Sequence, residues 1–277
     1  MVLTRRCLLK AAALSAACTA IGPWEPLSAA ALTSSDQQFH GLRVGIASYS
    51  LRGFPLTETL QDMQRLGVRF LSLKDVHLPL NSTPEQRQRV RQQAEDLGLS
   101  ITSCGVIYLK NDDAQMRQAF DYVRDLGASI AVVGVSREML PLLDKVIRSY
   151  ELKVAIHNHG PKDKLFPSPL EVYDAVKGLN RRIGLCMDIG HTFRMHEDLV
   201  DDVKKTRDRL YRDAKNVPVG RGALPIIPLL RELLRSAYSG ELQLEYEAES
   251  KDPLPGMAES LGFMRGALQD MGTLPGR

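Results

Sequence analysis

Short apolar runs recur along the chain, and amphipathic segments separate them. Continuous apolar runs are typical of strands buried on both faces, and apolar positions at helical spacing are typical of the helices that cover them. The predicted strands begin at Arg43, Phe70, Ile101, Ile130, Lys153, Ile183 and Leu242. The predicted helices between them include 56–66, 84–97, 113–126 and 169–177, and a glycine follows each one. Glycine is the residue that most readily ends a helix.

The spacing of these strands predicts the fold class. The first six strand starts lie between 23 residues apart (Ile130 to Lys153) and 31 residues apart (Phe70 to Ile101). Eight strand–helix units of this length fill the chain after its first residues, which predicts an α/β fold of the (β/α)8 TIM-barrel type. A doubly wound open sheet is the alternative, but it usually carries a glycine-rich loop after its first strand. The segment 47–53 reads ASYSLRG, so the barrel is favoured.

One part of the pattern is irregular. The distance from Ile183 to Leu242 is 59 residues, which leaves room for one more strand. Segments 198–211 and 225–237 both read as helix, and only 212–222 lies between them. Pro218 weakens the strand character of this segment, because proline cannot donate a hydrogen bond to a sheet. We therefore expect strand seven to be short, displaced or missing.

The N-terminus has the pattern of an export signal. Arg5 and Arg6 precede Lys10, an apolar stretch over 11–21 and small residues at 28–31. Paired arginines before such a stretch predict a twin-arginine signal peptide over 1–31, removed on export to the periplasm or another extracytoplasmic space. The alternatives are a retained membrane anchor or lipidation at Cys18. After removal we expect no stable membrane insertion, and a single barrel domain over 32–277.

Charge and cysteine content narrow the class of protein further. The formal net charge is +3, of which residues 1–31 supply +2, so the remainder is nearly neutral. This balance argues against nucleic acid as a partner. Cys104 and Cys186 remain after signal removal and lack a CxxC spacing, so we expect two buried thiols rather than a disulfide scaffold.

Polar residues gather where the predicted strands end, which is where barrel active sites lie. They are Lys74, Asp75, His77, His157, Asn158, His159, Asp188, His191, Glu245 and Glu247. Two imidazoles, an aspartate and a glutamate at one mouth suit a divalent ion such as Mn, Co, Fe or Zn. Each histidine could instead be a plain polar lining residue. Asp188 is harder to explain without a partner or metal, because it ends an apolar strand.

Four motifs carry a family resemblance. Residues 74–80 (KDVHLPL), 155–161 (AIHNHGP), 184–191 (GLCMDIGH) and 219–222 (VGRG) resemble the sugar phosphate isomerase/epimerase family with a xylose isomerase-like barrel. The likeness runs from about Arg43 to the C-terminus. It implies a metal-assisted proton transfer on a sugar, with four ligands supplied by strands five to eight.

The resemblance also implies which residues bind the metal, because they occupy the positions of the ligands in the relatives. Asp188 matches the strand-six aspartate and Glu245 the strand-eight glutamate, and His159 stands where those relatives carry a strand-five glutamate. The histidine expected on strand seven is missing, as if roughly a strand and a loop were deleted. His77 or water is then left as the candidate for the fourth ligand. Mn, Co, Fe, Zn and Mg all remain candidate ions.

The remaining roles follow from the chemistry of proton transfer next to a carbonyl. Glu245 is the candidate base, His157 or His191 the polarising partner, and Lys74 a contact to a substrate oxygen. Candidate substrate-binding residues are His77, Glu247 and Arg221, although a turn is an equal explanation of the segment that contains Arg221.

Two other functions stay open. The first is a lyase or hydrolase-like reaction on 3-keto glycosides, and the second is a degenerate barrel that binds sugar without turnover. The barrel also resembles apurinic endonucleases, but those need three metals and a basic DNA surface. The expected partner is therefore a small sugar or sugar derivative, and a homo-oligomer is possible.

Overall fold

The computed structural model describes residues 38–215 and 218–272. The chain divides into two units, Met1–Leu32 and Thr33–Arg277, and every described residue belongs to the second. The predicted signal peptide at 1–31 therefore lies outside the described residues. No helix of the described part is long and apolar enough to cross a membrane.

Eight parallel strands close into a barrel in sequential order. They are β1 (Arg43–Ala47), β2 (Phe70–Leu73), β3 (Ser100–Tyr108), β4 (Ile130–Gly134), β5 (Lys153–His157), β6 (Ile183–Asp188), β7 (Leu210–Lys215) and β8 (Glu241–Leu244). All seven strands expected from the sequence begin within one residue of the predicted position. The predicted (β/α)8 fold is confirmed.

Helices cover the outer face of the barrel. They are α1 (Leu56–Arg65), α2 (Pro84–Asp96), α3 (Asp113–Asp125), α4 (Leu140–Ile147), α5 (Pro169–Val176), α6 (Ile189–Arg194), α7 (Leu199–Thr206), α8 (Ile226–Arg235) and α9 (Leu254–Gly272). Short 3-10 turns occupy Ser48–Leu51 and Arg137–Met139. Helix α2 begins with a capping box, in which Thr83 and Gln86 satisfy each other's backbone N–H groups.

The prediction that strand seven is short or missing was wrong. The predicted helix 198–211 ends at Thr206, and the chain then forms β7, which pairs with both β6 and β8. Arg209 explains the early end of the helix. The Arg209 side chain is buried and donates hydrogen bonds to the carbonyls of Asn180 and Ile183, at 2.9 and 2.5 Å. The backbone carbonyl of Arg209 accepts a hydrogen bond from Leu185 N. The loss of sequence relative to the family stays a prediction, but it does not remove the strand.

The strands carry both apolar and polar buried side chains. Ile130, Val132, Ala155 and Cys186 form a separate apolar cluster within the strands. Elsewhere the side chain of Glu241 is fully buried, accepts a hydrogen bond from Thr102 Oγ1 at 3.0 Å and lies 3.3 Å from Arg43. As expected, Cys104 and Cys186 are both buried thiols.

One buried carboxyl on the outer layer makes stability depend on pH. Asp202 of α7 is 2% exposed, and its Oδ2 has no hydrogen-bond partner among the described residues. Burial, followed by the nearby charge of Glu197, raises the pKa of Asp202 to about 7. The folded protein therefore keeps this proton at a pH where the unfolded chain has lost it. The stability that this group contributes is lost as the pH rises through about 7.

We expect Asp202→Asn to stabilise the protein at pH 8, by on the order of 1–3 kcal/mol, because it removes a buried charge that lacks a hydrogen-bond donor. At pH 5 the gain should be smaller, because the folded carboxyl is then still protonated and only the ionisation of the unfolded chain favours unfolding of the wild type. Urea unfolding at both pH values measures this difference. Asp201→Asn is the control, since Asp201 is ion-paired with Lys205 at the surface. An equal gain at both pH values would contradict the prediction.

Candidate active site

A cavity of about 570 Å³ opens at the carboxyl ends of the strands. Its lining residues come from the ends of six strands or just beyond them: Tyr49, Lys74, Asp75, Val76, Val106, Tyr108, His157, His159, Asp188, His191, Glu245 and Glu247. The parallel arrangement of the strands causes this convergence, because all eight carboxyl ends meet at one mouth.

Asp188 lies at the centre of the polar groups. It is the last residue of β6 and is only 1% exposed. Its Oδ1 accepts a hydrogen bond from His191 N at 2.7 Å and so caps α6. Its Oδ2 lies 3.8 Å from His157 Nε2 and 3.9 Å from His191 Nε2. Two imidazoles therefore approach the same oxygen of a buried carboxylate.

His191 is held as a neutral imidazole. Burial, followed by the charges of Arg194 and His159, lowers the pKa of His191 to about 4. The Arg194 guanidinium contacts His191 Nδ1. A guanidinium can only donate, so Nδ1 is the acceptor, and in the neutral ring the proton lies on Nε2, the nitrogen nearer to Asp188 Oδ2. This arrangement makes His191 a hydrogen-bond donor within the cavity.

His159 is contacted at both ring nitrogens. Nδ1 lies 3.1 Å from Asp163 Oδ2, and Nε2 lies 3.2 Å from the hydroxyl of Tyr108. The ring centroid is 4.4 Å from that of His157 and 5.7 Å from that of His191. The chain turns immediately after His159 at Gly160, whose φ of 81° is readily adopted by glycine.

The opposite side of the cavity carries a cation and further carboxylates. Lys74 Nζ donates to the carbonyl of Val106 at 2.9 Å and forms an ion pair with Asp75. Glu245 and Glu247 follow β8 and both line the cavity. Partial burial, and then the charges of Asp163 and Glu245, raise the pKa of Tyr108. The cavity thus contains potential bases, hydrogen-bond donors and an ammonium group.

Seven of the nine predicted site residues line this cavity, and two do not. His77 instead hydrogen-bonds to Thr59 Oγ1 at 3.1 Å and to Ser48 Oγ at 3.0 Å, and burial lowers its pKa. Arg221 forms an ion pair with Glu259, and its side chain is 72% exposed. Neither His77 nor Arg221 lines the cavity with the other candidates, and the roles of all nine residues stay predictions.

Sequence reasoning missed Tyr49, Val76, Val106, Tyr108 and Asp163. Tyr108 had a usable signal, because it ends β3 and the carboxyl ends of barrel strands form the site. A search for charged side chains and histidines at strand ends does not find Tyr108, because a tyrosine carries no charge at neutral pH. Asp163 had no such signal, since it lies within an irregular loop and approaches His159 only through the turn at Gly160.

The cavity contains the types of ligand atom that divalent metal ions bind. Imidazole nitrogen and carboxylate oxygen are ordinary ligands of Mn, Fe, Co and Zn. Ligand atoms about 2.1 Å from a tetrahedral ion lie roughly 3.4 Å from one another. His157 Nε2 and His191 Nε2, at 3.8 and 3.9 Å from Asp188 Oδ2, are slightly farther from it than two ligands of one ion would be. In residues 38–215 and 218–272, no group of three or more His, Cys, Asp or Glu side chains is arranged to hold a metal ion.

The family of the protein is established by comparison. A family model described as the xylose isomerase-like TIM barrel matches residues 60–267, which is most of the chain. The protein belongs to this family. No curated protein matches the chain.

Several solved structures share the fold. A 3-keto-D-glucoside 4-epimerase from E. coli has a TM-score of 0.70 at 16% identity, over 81% of this chain and 99% of that one. A D-psicose 3-epimerase from Clostridium cellulolyticum H10 has a TM-score of 0.68 at 14% identity, over 82% and 99%. An uncharacterized protein from Parabacteroides distasonis ATCC 8503 has a TM-score of 0.67 at 23% identity, over 81% and 98%. At these identities the likeness is one of fold.

We expect Arg194→Gln to raise the pKa of His191 in the metal-free protein, because it removes the cation beside Nδ1. The pKa should stay below its ordinary value, since burial is the larger cause of the shift. A pH titration of the histidine ring protons by NMR measures the change. Arg137→Gln is the matched control, because Arg137 pairs with Glu171 and does not line the cavity. An unchanged His191 midpoint in Arg194→Gln would rule out the contribution of Arg194.

Proposed function

We propose that this protein is a metal-dependent sugar isomerase or epimerase that moves a proton on a carbon next to a carbonyl. The main support is the approach of His157 Nε2 and His191 Nε2 to one oxygen of the buried Asp188, in an open cavity that also contains Glu245 and Lys74. The fold shared with a 3-keto-D-glucoside 4-epimerase and a D-psicose 3-epimerase agrees with this function.

The proposed metal set is Asp188, His159 and Glu245, with His157 beside it. When bound, a divalent ion supplies positive charge that stabilises the enediolate left when the proton departs. Asp188 suits this role because its strand-end position and its contact to His191 N hold the carboxylate in place. In β7 the residues 210–215 read LYRDAK, so this strand supplies no histidine.

The proton transfer itself is assigned to side chains of the cavity. Glu245 is the proposed base, because a carboxylate accepts a proton readily when the product charge is stabilised. His191 donates a hydrogen bond from Nε2 to the carbonyl oxygen of the sugar. Lys74 and Glu247 bind further oxygens and hydroxyls of the substrate. These groups enclose a volume in the range that holds small ligands, roughly 300–1,000 Å³.

A lyase or hydrolase-like reaction on 3-keto glycosides is the second candidate. It begins with the same proton abstraction and then expels the glycosidic oxygen. Tyr108 and Val76 line the cavity with 59% and 52% of their surface exposed, and they offer an apolar surface for the second half of a glycoside. The third reading, a barrel that binds sugar without turnover, loses its main argument because strand seven is present.

Replacement of Asp188 by asparagine tests the proposal. Asn can still accept the hydrogen bond from His191 N, so the cap of α6 is kept while the charge is lost. We expect the wild type, purified without chelator, to hold about one divalent ion per chain by elemental analysis. It should exchange a proton of a ketohexose or a 3-keto-glucoside with solvent deuterium. Asp188→Asn should lose the ion and at least about 100-fold of the exchange rate.

Asp201→Asn is the control for this experiment, since Asp201 lies on the outer face of α7 and is ion-paired with Lys205. An Asp188→Asn protein that keeps both the ion and the exchange would contradict the assignment. Product analysis with the 3-keto-glucoside separates epimerisation from loss of the aglycone. Sugar binding without metal or exchange in the wild type would favour the binding-only barrel.

We also propose that residues 1–31 direct export through the twin-arginine route. The support is the sequence pattern alone, in which Arg5 and Arg6 precede a short apolar stretch. Replacing both arginines by lysine keeps the charge and should abolish the extracytoplasmic form of the protein, as measured by cell fractionation. Lys10→Arg is the control and should be exported normally. Normal export of the double variant would contradict the twin-arginine route.

A further inference from the structure

We propose that Asp163 is a positioning residue for His159. It fixes the tautomer of the imidazole that presents the Nε2 lone pair to the cavity, where His159 serves as a nitrogen ligand for a divalent ion. This inference rests on the metal site of the proposed function and adds to it a residue outside the cavity lining.

The proton position follows from the chemistry of the carboxylate. Asp163 Oδ2 lies 3.1 Å from His159 Nδ1. An ionised carboxylate can only accept a hydrogen bond, so Nδ1 carries the proton. In the neutral ring Nε2 then holds a lone pair, and the hydroxyl of Tyr108 donates to it at 3.2 Å. A bound metal ion would take the place of this hydroxyl hydrogen.

The Asp163 carboxylate is itself held by the loop. Its Oδ1 accepts from Leu165 N at 2.9 Å, and its Oδ2 also accepts from Phe166 N at 3.4 Å. Its backbone N–H donates to the carbonyl of Gly160 at 3.0 Å, which closes the turn after His159. A carboxylate fixed in this way also fixes the plane of the imidazole that donates to it.

The rest of His159 faces the other cavity groups. Its ring is next to those of His157 and His191, and its side chain is 23% exposed, against 13% for Asp163. Histidines that bind metals commonly donate their second ring N–H to a carboxylate, which orients the ring and raises its basicity. Asp163 is the carboxylate that accepts from the second ring nitrogen of His159, and it lies behind His159, outside the cavity lining.

Asp163→Asn separates positioning from folding. The amide oxygen can still accept from Leu165 N, while the amide N–H then points to His159 Nδ1 and the longer contact from Phe166 N is lost. This would move the imidazole proton to Nε2 and remove the lone pair from the cavity. Nitrogen NMR of the histidine rings in the metal-free protein reports the tautomer directly. Titration with Co²⁺ should show 10–100-fold weaker binding than in the wild type.

Two further variants make the test sharper. Asp198→Asn is the matched control: Asp198 also accepts backbone N–H groups, at the start of α7, and has no histidine contact among the described residues. It should leave the tautomer and the cobalt affinity unchanged. Tyr108→Phe removes the hydroxyl that occupies Nε2 and should strengthen cobalt binding severalfold. A weaker affinity in Tyr108→Phe would contradict the assignment of Nε2 as the ligand atom.

An unchanged tautomer in Asp163→Asn would overturn the positioning role. A changed tautomer with unchanged cobalt affinity would overturn the role of His159 as a ligand. A wild type that binds no cobalt would contradict the metal site of the proposed function, and the tautomer measurement would then decide the role of Asp163 without it. Failure of the inference is thus distinguishable from failure of the proposed function.

Discussion

Closure of the barrel by β7 is the constraint on which the rest of the structure depends. A parallel sheet brings its carboxyl ends to one mouth only if every strand has a neighbour on both sides, and an open seam would leave unpaired backbone groups. β7 pairs with both β6 and β8. Arg209 supports this seam, because its buried guanidinium binds carbonyls of the segment that leads into β6. Asp188 ends β6 and Glu245 follows β8, on either side of β7. Both side chains line one cavity because β7 joins these two strands.

Within that cavity, each histidine is placed by a different kind of neighbour. Asp188 faces His157 and His191, Arg194 sets the acceptor nitrogen of His191, and Asp163 sets the donor nitrogen of His159. Charged neighbours can impose these tautomers because the rings are mostly removed from water, where the effective dielectric constant is lower. The consequence is a set of imidazoles with distinct roles rather than three equivalent ones. Fold alone would not assign those roles, because this barrel supports many chemistries.

Much of the fold and part of the site could be predicted from the sequence. The apolar runs located seven strands because residues of a parallel sheet are buried on both faces and the signal is continuous. The sequence does not predict strand seven, because Leu210 and Tyr211 continue a helical pattern without a break. Only their pairing with β6 and β8 makes these residues a strand. Asp188, His157, His159 and Glu245 were found because strand ends converge by topology. The same reasoning places His77 in the site, yet hydrogen bonds to Ser48 and Thr59, which are distant in the sequence, hold its side chain outside the cavity lining.

The sequence by itself determined the periodic order of strands and helices, the family and the polar residues at the strand ends. These depend on local patterns of hydrophobicity and on residue types that neighbours in the chain suffice to reveal. The tertiary structure alone decided how β7 closes the barrel, which ring nitrogen of His159 and of His191 is a donor, and that Tyr108 and Asp163 join the site. Those features arise from contacts between loops and strands distant in sequence, whose distances and hydrogen-bond directions no periodicity encodes.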